Sequence, residues 1–185
     1  MTTPAKTRGS AILQLALALL ASVSLASAPK VQADDSIQPP DLSACPNLQV
    51  PEGNTVKFHA YATGVQIYQW SGSTWAFVAP SARLYGDPGY HGQVGIHYAG
   101  PTWQSNSGSK VVGRRLAGCT PDPNSIPWLL LISVSSEGPG VLDNVSYVQR
   151  VNTVGGKAPS APGTTAGQMA QVPYTAEYYF YSEED

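Results

Sequence analysis

Residues 55–70 read TVKFHAYATGVQIYQW and carry the clearest structural signal in the chain. Across residues 55–61, apolar side chains alternate with polar or aromatic ones, which is the two-residue period of a half-buried β-strand. Gly64 interrupts the alternation, and it resumes over residues 65–70. The stretch therefore predicts β-strands.

The rest of the chain repeats this style of short strand and turn. Further strand patterns cover residues 75–78, 93–98, 110–116, 126–134, 145–154 and 173–181. Turns such as Asp87-Pro88-Gly89 separate them, and no stretch keeps a 3.6-residue period between helix caps. We therefore predict one all-β domain, an antiparallel β-sandwich or barrel. Residues 155–167, rich in Gly, Ala, Pro, Ser and Thr, are predicted to form a flexible loop.

The N-terminal region has the features of a secretory signal peptide. Lys6 and Arg8 give it a positive start, and residues 11–25 are almost wholly apolar. That run is too short to span a bilayer as a mature helix, but it suits the core of a signal peptide. We expect cleavage after Ala33, because an earlier site after Ala28 would leave a proline at the new N-terminus. An uncleaved membrane anchor is the alternative.

This cleavage site divides the chain into three parts. Residues 1–33 would be the signal peptide, residues 34–52 a loose lead-in with prolines and acids, and residues 53–185 the all-β domain. We expect the mature protein to be secreted, to the extracellular space or to the periplasm. It has no second apolar run of membrane-spanning length, so no transmembrane segment is expected in it.

The charge of the mature chain disfavours two classes of partner. Cleavage leaves seven basic residues against twelve acidic ones, a net charge of −5. Nucleic acid is not expected as a partner, because phosphate binding requires clustered Lys and Arg. Anionic lipid is disfavoured for the same reason.

The chain has two cysteines, Cys45 and Cys119. In an exported protein two cysteines pair more often than they stay free, so we expect a disulfide between them. A competing interpretation is lipidation of Cys45, because residues 42–45 read LSAC, like a bacterial lipoprotein box. That box should abut the apolar core, however, and the charged segment 34–41 lies between them.

Five blocks of sequence resemble a known family. They are HAYA with GVQIY within residues 59–68, HYAGPTW at 97–103, IPWLLL at 126–131, QRVNT with GG and AP within 149–159, and VPYTA with YYFY within 172–181. In this order they resemble the secreted bacterial and fungal DUF3455 family, a domain of unknown function, and they cover nearly all of the mature chain. The resemblance implies an extracellular protein and brings no activity with it.

This chain departs from the family pattern at two places. The family often has a cysteine shortly after Gln-Ile-Tyr, where this chain has Trp70. It often has a second after the Ala-Pro of the glycine-rich loop, where this chain has Pro162 and Gly163. A disulfide between those places is therefore absent here.

Histidines offer one candidate chemistry, a metal site. His59 and His97 lie in strand-like segments, and two imidazoles meeting across a sheet could bind zinc or copper, with Asp87 or Glu177 completing the site. His91 is the third histidine, and no His-x-His or His-x-x-x-His spacing is present. The competing interpretation is a set of structural histidines bonded to the backbone.

Other catalytic signatures are missing from the sequence. There is no Gly-x-Ser-x-Gly elbow, and the glycines of residues 86–92 lack the lysine and following helix of a phosphate loop. Candidate acids for a glycosidase, chosen only by elimination, are Asp87, Asp122, Asp143 and Glu177. We therefore predict no cofactor and favour a protein without catalytic activity.

Aromatic residues suggest binding instead. Seventeen Trp, Tyr and Phe residues fall in the mature chain, and flat rings beside polar groups suit sugar recognition. The predicted ligand-binding residues are Tyr61, Gln66, Trp70, His97, Tyr98 and Trp103. The competing interpretation is that these rings form the core of a closed barrel.

Arg150 adds a further possibility, since an arginine within a strand could orient a carboxylate with two hydrogen bonds. The competing interpretation pairs Arg150 with an acid such as Glu177. Our leading hypothesis for the whole chain is a non-catalytic extracellular or cell-surface binding protein, for an extracellular polysaccharide or cell-wall component. The alternatives are a small metal-dependent extracellular enzyme using His59 and His97, and a purely structural envelope protein.

Overall fold

The computed structural model describes residues 37–184 and confirms the all-β prediction. Its strands are β1 (Asn54–Trp70), β2 (Trp75–Tyr85), β3 (Gln93–Tyr98), β4 (Thr102–Ser105), β5 (Lys110–Cys119), β6 (Trp128–Glu137), β7 (Tyr147–Gly155) and β8 (Met169–Glu183). A short 3₁₀ helix, Pro46–Leu48, precedes them. The predicted signal peptide lies outside the described residues.

The eight strands form one antiparallel sheet that closes on itself. Each strand pairs with the next along the chain, and β8 pairs with β1 over the length from Asn54 opposite Glu183 to Gln69 opposite Met169. Of the two predicted architectures, the structure has the barrel. Closure satisfies the backbone groups that would otherwise line two free edges.

Gly64 lies within a continuous strand, although the sequence pattern suggested a break there. A Cβ atom at Gly64 would overlap the backbone of Ser81 and Ala82 on β2. Glycine therefore lets β1 and β2 approach closely while the strand bends around the barrel. Because the strand is continuous, residues of equal parity from Phe58 to Trp70 face the same side of the wall.

The barrel interior is filled with aliphatic and aromatic side chains. The largest fully buried ones are Trp103, Tyr178 and Phe180, with Leu84 at 1 % exposure beside them in the same core. Trp103 contacts Tyr178 and Phe180 edge to face, at centroid distances of 5.3 and 5.9 Å. These rings fill the space between the walls of the barrel and form its hydrophobic centre.

A second apolar cluster lies on the outer face and covers part of the wall. Leu48 and Val50 of the N-terminal segment pack against Leu130, Val151 and other residues of β6 to β8. A disulfide joins Cys45 to Cys119 at the end of β5, with Cα atoms 5.8 Å apart, as the sequence predicted. The bridge and the cluster together fix residues 42–50 to the barrel.

Residues 158–163 of the glycine-rich loop pack against two tryptophans. The indole Nε1 of Trp75 donates to the carbonyl oxygen of Ala161 at 2.9 Å. A Cβ at Gly163 would lie 2.5 Å from the indole of Trp70, so the loop backbone rests directly on that ring. Within residues 37–184 no helix is long and apolar enough to cross a membrane.

Candidate functional site

His97 lies inside the barrel in its neutral form. It pairs with Trp103 across β3 and β4, and the two rings stack with centroids 4.4 Å apart. Its Nδ1 donates a hydrogen bond to the carbonyl oxygen of Thr102 at 2.8 Å. Burial lowers the pKa of His97 to about 3, and the charge of Arg150 acts in the same direction. The imidazole is therefore uncharged at neutral pH.

Further polar groups line the interior beside His97. The hydroxyl oxygens of Tyr174 and Tyr178 on β8 lie 3.3 Å apart. Arg150 pairs with Tyr178 across β7 and β8, and its Nε and Nη2 donate to the carbonyl oxygen of Pro127 at 3.1 and 2.8 Å. Burial raises the pKa of both tyrosines, against the opposing effect of Arg150, so both hydroxyls stay protonated.

One inward-facing donor, Nε1 of Trp103, has no partner among the residues that the structure describes, and Trp103 is 1 % exposed. The side chain of Gln66, 2 % exposed, interacts with the hydroxyl of Tyr174 and lowers its pKa, against the effect of burial. A buried donor without an acceptor costs about 1–3 kcal/mol. We refer to Gln66, His97, Trp103, Arg150, Tyr174 and Tyr178 together as the inner polar cluster.

A different constellation lies on the outer face of the same wall. Nε2 of His59 donates to Oε2 of Glu177 at 2.9 Å, and Nδ2 of Asn152 donates to Oε1 of Glu177 at 2.9 Å. The His59 ring stacks on Tyr179 at 4.0 Å and lies 4.5 Å from the ring of Tyr61. Burial lowers the pKa of His59, and the negative charge of Glu177 opposes that shift. This is a half-buried surface cluster with both hydrogen-bond donors and acceptors.

A groove runs beside this cluster over β1, β2 and β3. It has a volume of about 650 Å³, and its lining includes Thr63, Arg83, Tyr85, Ile96 and Tyr98. We call it the outer groove. Tyr61 borders it, because Tyr61 pairs with Tyr85 across β1 and β2. Tyr61, Tyr85 and Tyr98 each keep part of their surface exposed to solvent.

Residues 51–182 match the family described as "Protein of unknown function (DUF3455)". The chain belongs to this family. The matched range begins just before β1 and ends within β8, so it contains both the inner polar cluster and the outer groove. No curated protein and no solved structure matches the chain.

In this DUF3455 protein the six predicted ligand-binding residues fall into three places. Tyr61 and Tyr98 lie on the outer face, at and in the outer groove. Gln66, His97 and Trp103 belong to the inner polar cluster. Trp70 is 9 % exposed and lies under the loop at Gly163. The structure does not bring the six together on one surface.

The histidines are likewise separated. His59 stacks on Tyr179 outside the barrel, whereas His97 lies 5.1 Å from Tyr178 inside it. Tyr178 and Tyr179 are consecutive residues of β8, so their side chains point to opposite faces of the wall. His91 is exposed and pairs with Asp87 at 3.0 Å. Within residues 37–184 no group of three His, Cys, Asp or Glu residues is placed to hold a metal ion.

Sequence reasoning did not assign Tyr174, Tyr178, Tyr85 or Asn152 to any site. Asn152 adopts a positive φ of 51° at an irregularity between Val151 and Val154, which directs its amide to Glu177. The tyrosines gave no signal of their own, because their roles depend on which strand lies opposite. The predicted pairing of Arg150 with Glu177 is not formed: Arg150 faces inward and Glu177 outward.

Proposed function

We propose that this protein is a secreted, non-catalytic binding protein that holds carbohydrate in the outer groove. The observation that carries the proposal is the set of partly exposed tyrosines on three neighbouring strands, Tyr61 on β1, Tyr85 on β2 and Tyr98 on β3. The signal-like N-terminus and the disulfide between Cys45 and Cys119 support export, since such bridges persist in oxidising compartments.

The polar groups of the groove suit sugar hydroxyls. Arg83 supplies donors in the groove, and the hydroxyl of Thr63 can both donate and accept. Tyr98 is oriented by its hydroxyl, which donates to Oε1 of Gln104 at 3.0 Å. A pyranose presents an apolar C–H face to an aromatic ring and hydroxyls at its rim, so rings beside donors match both parts.

The neighbouring carboxylate extends this surface. Glu177 is held by His59, Asn152 and Tyr179, so its oxygens are fixed in position at the border of Tyr61. A fixed carboxylate accepts hydrogen bonds from sugar hydroxyls at a lower entropic cost than a mobile one. We therefore place the binding surface from Glu177 across Tyr61 into the outer groove.

The test is depletion of the mature protein from solution by insoluble chitin, cellulose and peptidoglycan. We expect saturable depletion on one of these polymers, and that polymer identifies the class of ligand. Replacing Tyr85 and Tyr98 together by alanine should weaken binding about tenfold or more, because two stacking surfaces are lost. Circular dichroism checks that the variant keeps its fold.

Phe77→Ala is the matched control. Phe77 is an exposed aromatic residue of β2, 55 % exposed, that does not line the outer groove. Its removal should leave depletion unchanged. Depletion by none of the polymers, or equal losses in the groove variant and the control, would remove carbohydrate as the ligand. The metal content of the purified protein would then test the alternative of a metal-dependent enzyme. If the protein contained no metal, the structural envelope protein would be the remaining alternative.

A further inference from the structure

The outer groove carries one charged side chain, and its charge is positive. Arg83 lies in the middle of the groove, paired with Thr63 of β1 on one side and with Ile96 of β3 on the other. Among the described residues that line the groove, none is Asp or Glu, and His97, which also contributes to the lining, is neutral. The guanidinium of Arg83 therefore sets the electrostatic potential of this surface.

The polar side chains of the groove are free to meet a ligand. In the part of the chain that the structure describes, Arg83 forms neither an ion pair nor a side-chain hydrogen bond. The hydroxyls of Thr63, Ser81 and Tyr85 likewise have no hydrogen-bond partner there. The hydroxyl of Tyr98 already donates its proton to a side chain of β4, so its oxygen is left to accept. Because a guanidinium has five N–H donors and no acceptor, the groove suits a ligand rich in acceptor oxygens.

Two carboxylates lie at the other end of the binding surface. Burial raises the pKa of Tyr61, and the charges of Glu177 and Asp87 raise it further, so both carboxylates lie near the Tyr61 hydroxyl. Neither of them lines the outer groove. An anionic group on a ligand is therefore repelled at the Tyr61 end and attracted to Arg83, whereas uncharged sugar hydroxyls can donate to the carboxylates. The charges of the surface thus orient a ligand that has both kinds of group.

We propose that the sugar held in the outer groove carries a carboxylate, which accepts hydrogen bonds from the guanidinium of Arg83. This inference rests on the proposed function and narrows its ligand to an acidic carbohydrate. The planar fork of arginine matches the two carboxylate oxygens. Tyr85 is two residues from Arg83 along β2, and Tyr98 is two residues along β3 from Ile96, the partner of Arg83. One ring therefore lies on each side of the guanidinium, where it can contact the C–H face of a sugar whose carboxylate is bound to Arg83.

The test compares polymers that differ in charge. Of the three polymers in the depletion assay, only peptidoglycan carries carboxylates, on the substituents of its sugar rings, so we expect depletion by peptidoglycan and not by chitin or cellulose. The net charge of −5 on the mature chain opposes nonspecific adsorption to this anionic polymer. The control ligand is peptidoglycan whose amines are acetylated and whose carboxylates are coupled to ethanolamine, compared with the polymer acetylated only. We expect the coupling to weaken binding about tenfold or more.

Two arginine variants locate the contact. Arg83→Gln should weaken binding to acetylated peptidoglycan about tenfold, as for the loss of hydrogen bonds to a charged group. Arg114→Gln, which removes an exposed arginine of β5, should leave binding unchanged. On the polymer with coupled carboxylates, Arg83→Gln and wild type should bind equally, because the two changes remove the same contact and their effects do not add. Circular dichroism checks that both variants keep their fold.

The outcomes distinguish this inference from the proposed function. Depletion by chitin or cellulose that is lost in the Tyr85 and Tyr98 double variant would keep carbohydrate as the ligand and overturn the carboxylate. Depletion by peptidoglycan that is unchanged by carboxylate coupling, or by Arg83→Gln in a folded variant, would overturn it as well. Depletion by none of the polymers would remove the proposed function and this inference with it.

Discussion

Acid should destabilise this protein through His97 in a range where its aspartates stay largely ionised. The pKa of His97 is about 3 in the folded barrel, because burial disfavours the charged imidazole, against 6.5 in the unfolded chain. Below pH 6.5 the unfolded chain therefore binds one more proton than the folded one. Stability must fall as the pH falls, by about 1.4 kcal/mol per pH unit until the folded state also titrates near pH 3.

The expected loss can be stated for a chosen window. Between pH 7 and pH 4.5 the His97 contribution amounts to roughly 2–3 kcal/mol of unfolding free energy. The lower limit stays above the ordinary aspartate value of 3.8, so Asp122 and Asp143, whose pKa values are lowered by hydrogen bonds from Ser125 and Lys57, contribute little. Glutamates begin to titrate near that limit, and Glu137, whose pKa is lowered by its hydrogen bond from Lys110, adds a loss of the same sign. The pKa of His59 is also lowered, so this residue adds a loss of the same sign.

The assay is urea unfolding at several pH values, with the disulfide intact and the free energy extrapolated to zero denaturant. His97→Gln keeps a donor for Thr102 but cannot titrate, so it should show a loss smaller by roughly 2–3 kcal/mol over the same window. His91→Gln is the control, because the His91 side chain is 85 % exposed. Equal losses in wild type and His97→Gln would refute the reasoning.

Three further changes should destabilise the barrel. Replacing Cys45 and Cys119 by serine opens a loop of 74 residues and should cost about 4–5 kcal/mol, measured by denaturant unfolding of both forms. Gly64→Ala places a methyl group against the backbone of Ser81 and should cost about 3 kcal/mol or more, seen as a lower melting temperature; unchanged melting would contradict the close approach of β1 and β2. Trp103→Ala empties the centre of the core and should cost about 3–5 kcal/mol in the same assay, whereas a surface ring would cost far less.

The fold class could be predicted because alternation is local. The pattern of residues 55–61 shows a half-buried strand without reference to any other part of the chain. Barrel closure could not be predicted in the same way, because it depends on β8 pairing with β1, more than a hundred residues away. Nothing within either strand records that partner, so sandwich and barrel were equally compatible with the pattern.

The faces of the strands were harder to predict for the same reason. The predicted binding set requires Tyr61 and Gln66, on either side of the interruption at Gly64, to share one face of the sheet. In the continuous β1, residues 60, 62, 66 and 68 share one parity and point inward, so Gln66 and Tyr68 lie with the core and Tyr61 lies outside. Gly64 permits a bend and does not end the strand. Gln66, part of the predicted binding site, therefore lies on the inner side of the wall and Tyr61 on the outer side.

The tryptophans show a different limit. Trp103 lies on a strand of four residues, too short for alternation to tell its inner face from its outer one. Trp70 stands where the family pattern often has a cysteine, and in the structure its ring contacts Gly163, at the second such position. The contact between a ring and a glycine thus joins the same two places that a disulfide would join. The resemblance to the family implies that a bridge is absent here, but it does not indicate how the two places pack against each other.

The closed wall lets substitutions on its outer face be tested apart from substitutions on its inner face. Glu177 and Tyr178 are neighbours on β8, yet Glu177 is held by His59 and Asn152 outside, while Tyr178 contacts Trp103 inside. A substitution at the outer position therefore changes the surface without removing a group from the interior, and the reverse also holds. If carbohydrate depletion responded to Gln66→Leu as strongly as to changes in the outer groove, the wall would not separate the two faces, and the assignment of carbohydrate to the outer groove would need revision.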